Sequence, residues 1–212
     1  MRERIIRGVE SASEKLSFAK SLLDPVRAVV NPKKYYSGLR GLLDRYGVYA
    51  VSTIYFASWL GTSMLTFILI LLLEAFRSLR ALSLSGLVMA PLKALAYSLA
   101  FPIVAALLDA IVIIIILAFF PRKRPLYDVF AVRASSLLPY GLRVVLLEIT
   151  GKLSFTALIA ATTSRLGLAL LAIGTILTIY GLRRTMGASI PGAVLAGSAP
   201  LIYKLLLGFH LL

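Results

Sequence analysis

An all-α bundle of membrane-spanning helices is the fold class this sequence predicts, and three observations carry the prediction. Hydrophobic residues make up 59% of the 212 and charged residues only 15%, with a mean hydropathy of +0.91. A water-soluble domain of this size has too little interior to hide that much apolar side chain, so the exterior must face lipid. The apolar residues are also gathered into runs of spanning length. The longest is the 28 uncharged residues between Arg45 and Glu74, where roughly 20 suffice to cross hydrocarbon. Finally, Lys and Arg number 23 against 9 Asp and Glu, for a net charge of +14, and ten of those bases precede residue 47. That distribution suits a basic end facing anionic cytoplasmic lipid better than a nucleic-acid surface.

Residues 1–46 read as a cytoplasmic basic amphipathic segment and 47–212 as a five-helix transmembrane domain. The first fourteen residues alternate charge with isolated Ile5, Ile6 and Val9, and no apolar run of signal-peptide length follows them, so no cleaved leader is expected. Leu16, Ala19, Leu22, Leu23 and Val26 recur near helical spacing among Lys15, Lys20 and Arg27, as in a helix lying along a membrane surface. Asp24-Pro25 fits a turn into a new helix. A second amphipathic stretch opens at Asn31-Pro32, where Asn caps and Pro takes the first helical position. Its Lys33, Lys34, Tyr35, Tyr36 and Arg40 form the expected lipid interface, a mixture of interfacial aromatics and snorkelling bases.

Five spans follow. The first is 47–73. The second, 94–120, is interrupted by Pro102 and carries one charge, Asp109, near its middle. The third, 129–149, holds Pro139 and tolerates Arg133 and Glu148 if they lie near opposite interfaces while Arg143 faces the bundle interior. The stretch 153–164 is too short to span and reads as an interfacial helix. The fourth span is 166–182, stopped by Arg183-Arg184, and the fifth is 189–212, containing Pro191, Pro200 and Lys204. In the last span Gly192 and Ala196, and Ala193 and Gly197, stand four apart, a spacing that lets backbones approach closely, with another helix or a second copy. Sixteen bases fall on the N-terminal side of this arrangement and four on the other, or five with Arg165. The prediction is therefore a multi-pass cell-membrane protein with a cytoplasmic N-terminus and an external C-terminus.

Chemistry is sparse. The chain has no Cys and a single His, His210, near its end. Thiolate catalysis, disulfides and cysteine-ligated metals are excluded, and no metal or cofactor site is expected. No nucleophile elbow, phosphate loop or dinucleotide fingerprint is present, which points away from an enzyme. Gln is absent and Asn occurs once, at Asn31, a usage that high-temperature organisms tend to select. The informative residues are the ionisable ones inside spans, because a charge in hydrocarbon is kept only when paired, hydrated or used. These form a candidate intramembrane polar cluster of Asp109, Arg143, Glu148 and Lys204. Counted from the cytoplasmic ends at about 1.5 Å per residue, Asp109 lies roughly 16 Å deep, Arg143 about 21 Å and Lys204 about 22 Å. Asp109 is thus expected to contact Arg143 or Lys204, either as an ion pair that locks helix order or as part of a polar cavity or proton path.

Three passages resemble the Yip membrane family, named for interaction with Ypt/Rab GTPases, and specifically its prokaryotic and archaeal members. Asn31-Pro32-Lys33-Lys34-Tyr35-Tyr36 is similar to the asparagine-proline-aromatic lead-in before their first span. Pro125-Leu126-Tyr127-Asp128-Val129-Phe130 followed by Arg133-Ala134-Ser135-Ser136-Leu137-Leu138-Pro139 resembles their entry to the third span. Tyr180-Gly181-Leu182-Arg183-Arg184-Thr185-Met186-Gly187 looks like their junction between the fourth and fifth spans. The likeness covers roughly residues 30–212. The eukaryotic Asp-Leu-Tyr-Gly-Pro motif is missing, its nearest echo being Leu126-Tyr127-Asp128, so Rab binding is not carried over. What the resemblance implies is a five-span fold with a cytoplasmic N-terminus and a membrane-organising role. The functional expectation is a non-enzymatic scaffold or adaptor whose partners are anionic lipid head groups and a protein partner or a second copy of itself. A small-solute permease or transport-complex subunit with a midplane polar cavity is the alternative.

Overall fold

The computed structural model describes residues 17–154, 157 and 165–210. The expected leader-free N-terminus, and most of the interfacial helix expected over 153–164, lie outside the described residues. Every regular element among the described residues is helical. In chain order these are α1 (Phe18–Ser21), α2 (Asp24–Val30), α3 (Pro32–Arg80), α4 (Leu84–Ile103), a π-helical turn (Val104–Leu108), α5 (Asp109–Leu117), a 3₁₀ turn (Leu126–Asp128), α6 (Val129–Ser135), α7 (Leu138–Ile149), α8 (Arg165–Met186) and α9 (Ile190–His210).

Asn31 starts α3 as its composition dictates: the side-chain Oδ1 accepts from the Lys34 amide at 3.1 Å while Pro32 occupies the first turn. The helix then breaks at Gly47, whose φ of 52° and ψ of −129° lie where only glycine is comfortable. That break divides α3 into a basic amphipathic arm, 32–46, and a long apolar limb, 48–80. The expected first span ends at residue 73, whereas the helix runs on to Arg80. Over the expected second span, 94–120, the helix starts ten residues earlier, at Leu84, and continues through the π-helical turn into α5, with Leu84–Leu99 and Ala106–Leu117 as two shorter apolar pieces. Pro102, which has no amide to donate, lies just ahead of that turn, and an inserted residue of this kind rotates everything after it, Asp109 included. The third expected span is two helices, α6 and α7, bent by 46° at Ser136-Leu137. Pro139 in the first turn of α7 explains the interruption, since it cannot continue the hydrogen-bond ladder of α6.

Among the described residues three helices are long and apolar enough to cross a membrane, α3, α8 and α9, and there are four if the bent α6–α7 pair is counted as one span. Their outward faces are apolar: Phe56, Ile68, Leu72 and Phe76 on α3, Ile176 on α8 and Leu206 on α9 are all exposed. Buried between the helices are Asp109 of α5, Arg133, Arg143, Glu148 and Lys204, none more than 1% accessible. Charges inside and large hydrocarbons outside is the reverse of a water-soluble fold, and lipid is the solvent that satisfies it.

The helix ends sort into two groups. At the basic end the Lys123 amide donates to Met186 O at 3.0 Å, the Ser189 amide to Pro121 O at 3.1 Å, and Arg124 pairs with Asp44. At the opposite end Arg77 Nη2 donates to the carbonyls of Glu148 at 2.6 Å and Ile149 at 3.0 Å, tying α3 to the last turn of α7. Residues 17–46 do not form a separate unit. Ala28, Tyr36, Leu39 and Leu43 are buried in the same core as α5, α6 and α8. The Leu22 carbonyl sits so close to Gly61 that a Cβ there would be 2.0 Å away.

Candidate functional site

The four ionisable residues expected to cluster are found in three places. Asp109, at the first turn of α5, is fully buried and is the centre of the largest one. Its Oδ1 accepts from Lys204 Nζ and from the Tyr203 hydroxyl, both on α9, and its Oδ2 accepts from Arg133 Nη2 on α6. Arg133 is held from the far side as well. Its Nη1 donates to Ser136 Oγ at 3.2 Å and Thr178 Oγ1 at 3.4 Å, and its guanidinium lies 4.0 Å from the centre of the Tyr140 ring. Ser136 and Thr178 share a hydrogen bond at 2.9 Å, which links α6 to α8. Lys204 Nζ also donates to Tyr203 at 2.8 Å and faces the Tyr203 ring at 4.6 Å. One carboxylate, two cations and two aromatic faces thus join α5, α6, α7, α8 and α9 at mid-depth.

The local structure explains this convergence. The bend after Ser135 frees the end of α6, and Ser136 turns its hydroxyl back to Arg133 O at 2.9 Å. Gly174 stands where a Cβ would be 2.1 Å from the Tyr140 ring, so α8 approaches closely enough for Thr178 to reach Arg133. Such satisfaction from several sides is what lets charges persist away from water.

Arg143 does not join Asp109. Its Nη2 donates to Ala157 O at 2.6 Å, anchoring the connection after α7. Glu148 belongs to a separate cluster at the opposite end, accepting from Arg77 Nη1 at 2.5 Å and Lys93 Nζ at 3.1 Å, with Glu74 taking the same two cations at 3.1 Å. Arg133, expected near an interface, is instead fully buried, and with Tyr140 and Tyr203 it is what reading of the sequence missed. One signal was available for Arg133: it and Asp109 each stand twelve residues from Pro121, the tip of the connection between α5 and α6, and so return to the same depth.

Of the expected lipid-interface residues, Lys33, Lys34 and Arg40 are exposed and Tyr35 is half-buried. Tyr36 is a correction. It is fully buried, its ring and the Val132 side chain both closing on Gly181, and its carbonyl accepts from Thr185 Oγ1 at 3.3 Å. With no side chain at residue 181, α8 leaves a slot that the ring fills, which makes Tyr36 a packing residue. Nearby, burial pushes the Asp24 carboxyl up to about 6, against the pull of the Arg27 guanidinium at 3.3 Å. No group of three or more His, Cys, Asp or Glu suited to a metal occurs among the described residues. The chain matches no protein-family model, no curated protein and no solved structure.

Proposed function

We propose that this chain is a non-enzymatic five-span membrane scaffold of the Yip-like class, a rigid adaptor that carries its basic arm to lipid head groups or to a protein partner. The observation that supports a scaffold over a permease is the sealing of Asp109. Its carboxylate is fully buried, and its oxygens are taken by Arg133, Lys204 and Tyr203. A conduit needs a hydrated path to its ionisable group, whereas a structural lock needs the group satisfied by the protein itself.

The count of five takes α3, the α4–π–α5 run, the bent α6–α7 pair, α8 and α9 as one crossing each. The α4–α5 run has 34 residues, about 50 Å of helix, ample for one crossing despite its interruption. The lopsided bases orient it. Lys33, Lys34, Arg40, Arg45, Arg122, Lys123, Arg124, Arg183 and Arg184 gather at the basic end, which the positive-inside rule assigns to the cytoplasm.

Reconstitution in liposomes, paired with cross-linking in native membranes, tests the function. The scaffold reading expects a stoichiometric cross-linked partner or self-adduct through the basic arm and no proton or solute flux above empty vesicles. A flux that Asp109→Asn abolishes would replace it with the permease.

A further inference from the structure

The amphipathic arm and the last turns of α8 enclose an open groove of about 630 Å³, lined by Arg40, Ile176, Ile179, Tyr180, Arg183 and Arg184. The α8 residues stand at helical spacings that put them on one face, with the two isoleucines deeper and the two arginines at the rim. Arg40 closes the groove from α3, one turn beyond Tyr36, whose ring meets Tyr180 with centroids 6.0 Å apart.

The charge in this groove is unbalanced. Arg183 donates to Ala188 O at 3.0 Å and Arg184 to the Tyr180 hydroxyl at 3.3 Å, so among the described residues neither has a carboxylate within ion-pair reach. Arg40 comes only within 4.0 Å of Asp44, whose carboxylate is already engaged by Arg124. Three guanidiniums therefore surround a space whose floor is hydrocarbon. Guanidinium forks match phosphate oxygens in shape and charge. The arginines and Ile176 are separated by about two turns of helix, roughly 12 Å, the length of the upper half of an acyl chain.

We propose that this groove binds an anionic phospholipid, with Arg40, Arg183 and Arg184 holding the phosphate and one acyl chain lying along Ile179 and Ile176. The inference rests on the reading that the basic end sits at head-group level. It commits to a lipid rather than to free phosphate because a polar anion alone would leave the isoleucine floor unused.

Native mass spectrometry and thermal unfolding of the purified chain in neutral detergent test the site whatever the topology, so failure of the site is separable from failure of the five-span account. Phosphatidylglycerol should remain bound and raise the melting temperature, and phosphatidylcholine should not. Arg183→Gln with Arg184→Gln should weaken phosphatidylglycerol binding about tenfold or more. The charge-matched control Arg80→Gln with Lys152→Gln, exposed at the opposite end, should change it by less than about threefold. Arg184→Gln alone, whose only described hydrogen bond is to Tyr180, should show a partial loss should the double variant fail to fold. Equal binding of the two lipids, equal loss in the control, or unaltered binding in Arg184→Gln would overturn the proposal. Stabilisation by inorganic phosphate equal to that by phosphatidylglycerol would do the same and make this a free-phosphate site.

Discussion

Asp109 and Arg133, on helices joined at Pro121, meet in an ion pair from which water is fully excluded, and Lys204 approaches the same carboxylate from α9. The three members are not equivalent. Two cations share one anion, so the carboxylate is what keeps both positive charges tolerable, while either cation still finds a partner when the other is gone. Burial of an unpaired charge costs several kcal/mol, which makes the anion the indispensable member.

The close approach of the N-terminal segment to α3 gives a prediction about docking. A methyl group at residue 61 would collide with the Leu22 backbone, which cannot rotate away as a side chain could. Gly61→Ala should destabilise the docked 17–30 segment by about 1–3 kcal/mol and raise its hydrogen-exchange rate. Gly41→Ala, with open space around it, should leave exchange unchanged or slow it slightly. Equal exchange in the two variants would mean the segment does not depend on that contact.

Docking of the same segment should also depend on pH. In the docked state the Asp24 carboxyl is raised to about 6, and in the undocked chain it returns to near 3.8. A raised folded value means that the docked form is favoured at low pH and loses ground as pH rises through 6. Arg27 and, across a shallow groove, Lys34 face this carboxyl and moderate the loss. At about 1.4 kcal/mol per pH unit of difference the ceiling is about 3 kcal/mol. Hydrogen exchange over residues 17–30 should accelerate between about pH 4 and 6.5, beyond the intrinsic change, and Asp24→Asn should remove that excess. A segment better protected at about pH 6.5 would reverse the sign.

The absence of native cysteine allows a direct topology measurement. Single cysteines at positions 45, 123 and 187 should label from one side of the membrane, and those at 82 and 152 from the other. The cytoplasmic assignment expects 82 and 152 to react with an external impermeant reagent. Labelling of 82 and 123 from the same side would show that the α4–π–α5 run turns back instead of crossing.

Much of this architecture was legible in the sequence and some of it was not, for physical reasons that differ by residue. Hydropathy marks the apolar runs because the bilayer tests length and composition, and Asn31-Pro32 marks a helix start because capping is local. The charge pattern of 31–46 reads as an independent surface helix, yet its burial depends on Gly181 lying 145 residues away, and no local pattern reveals a slot for Tyr36. The break at Gly47 looks like any glycine in an apolar run until its φ is known. Arg133 reads as an interface residue by its closeness to the loop bases, whereas the bend at Ser136 folds it inward to Asp109. Arg143 and Lys204 have similar computed depths, and only the bend and the π-helical turn decide which of them faces Asp109.

Thermal unfolding in one detergent of Asp109→Asn, Lys204→Met and the double variant tests most directly whether Asp109 acts as a structural lock. Asp109→Asn leaves two buried cations without their anion and should cost about 3 kcal/mol or more, while Lys204→Met leaves the Asp109–Arg133 pair intact and should cost about 1 kcal/mol or less. The double variant should be more stable than Asp109→Asn alone, because one of the two stranded cations is gone. A neutral Asp109→Asn, or two effects that simply add, would contradict the lock and with it the scaffold it supports.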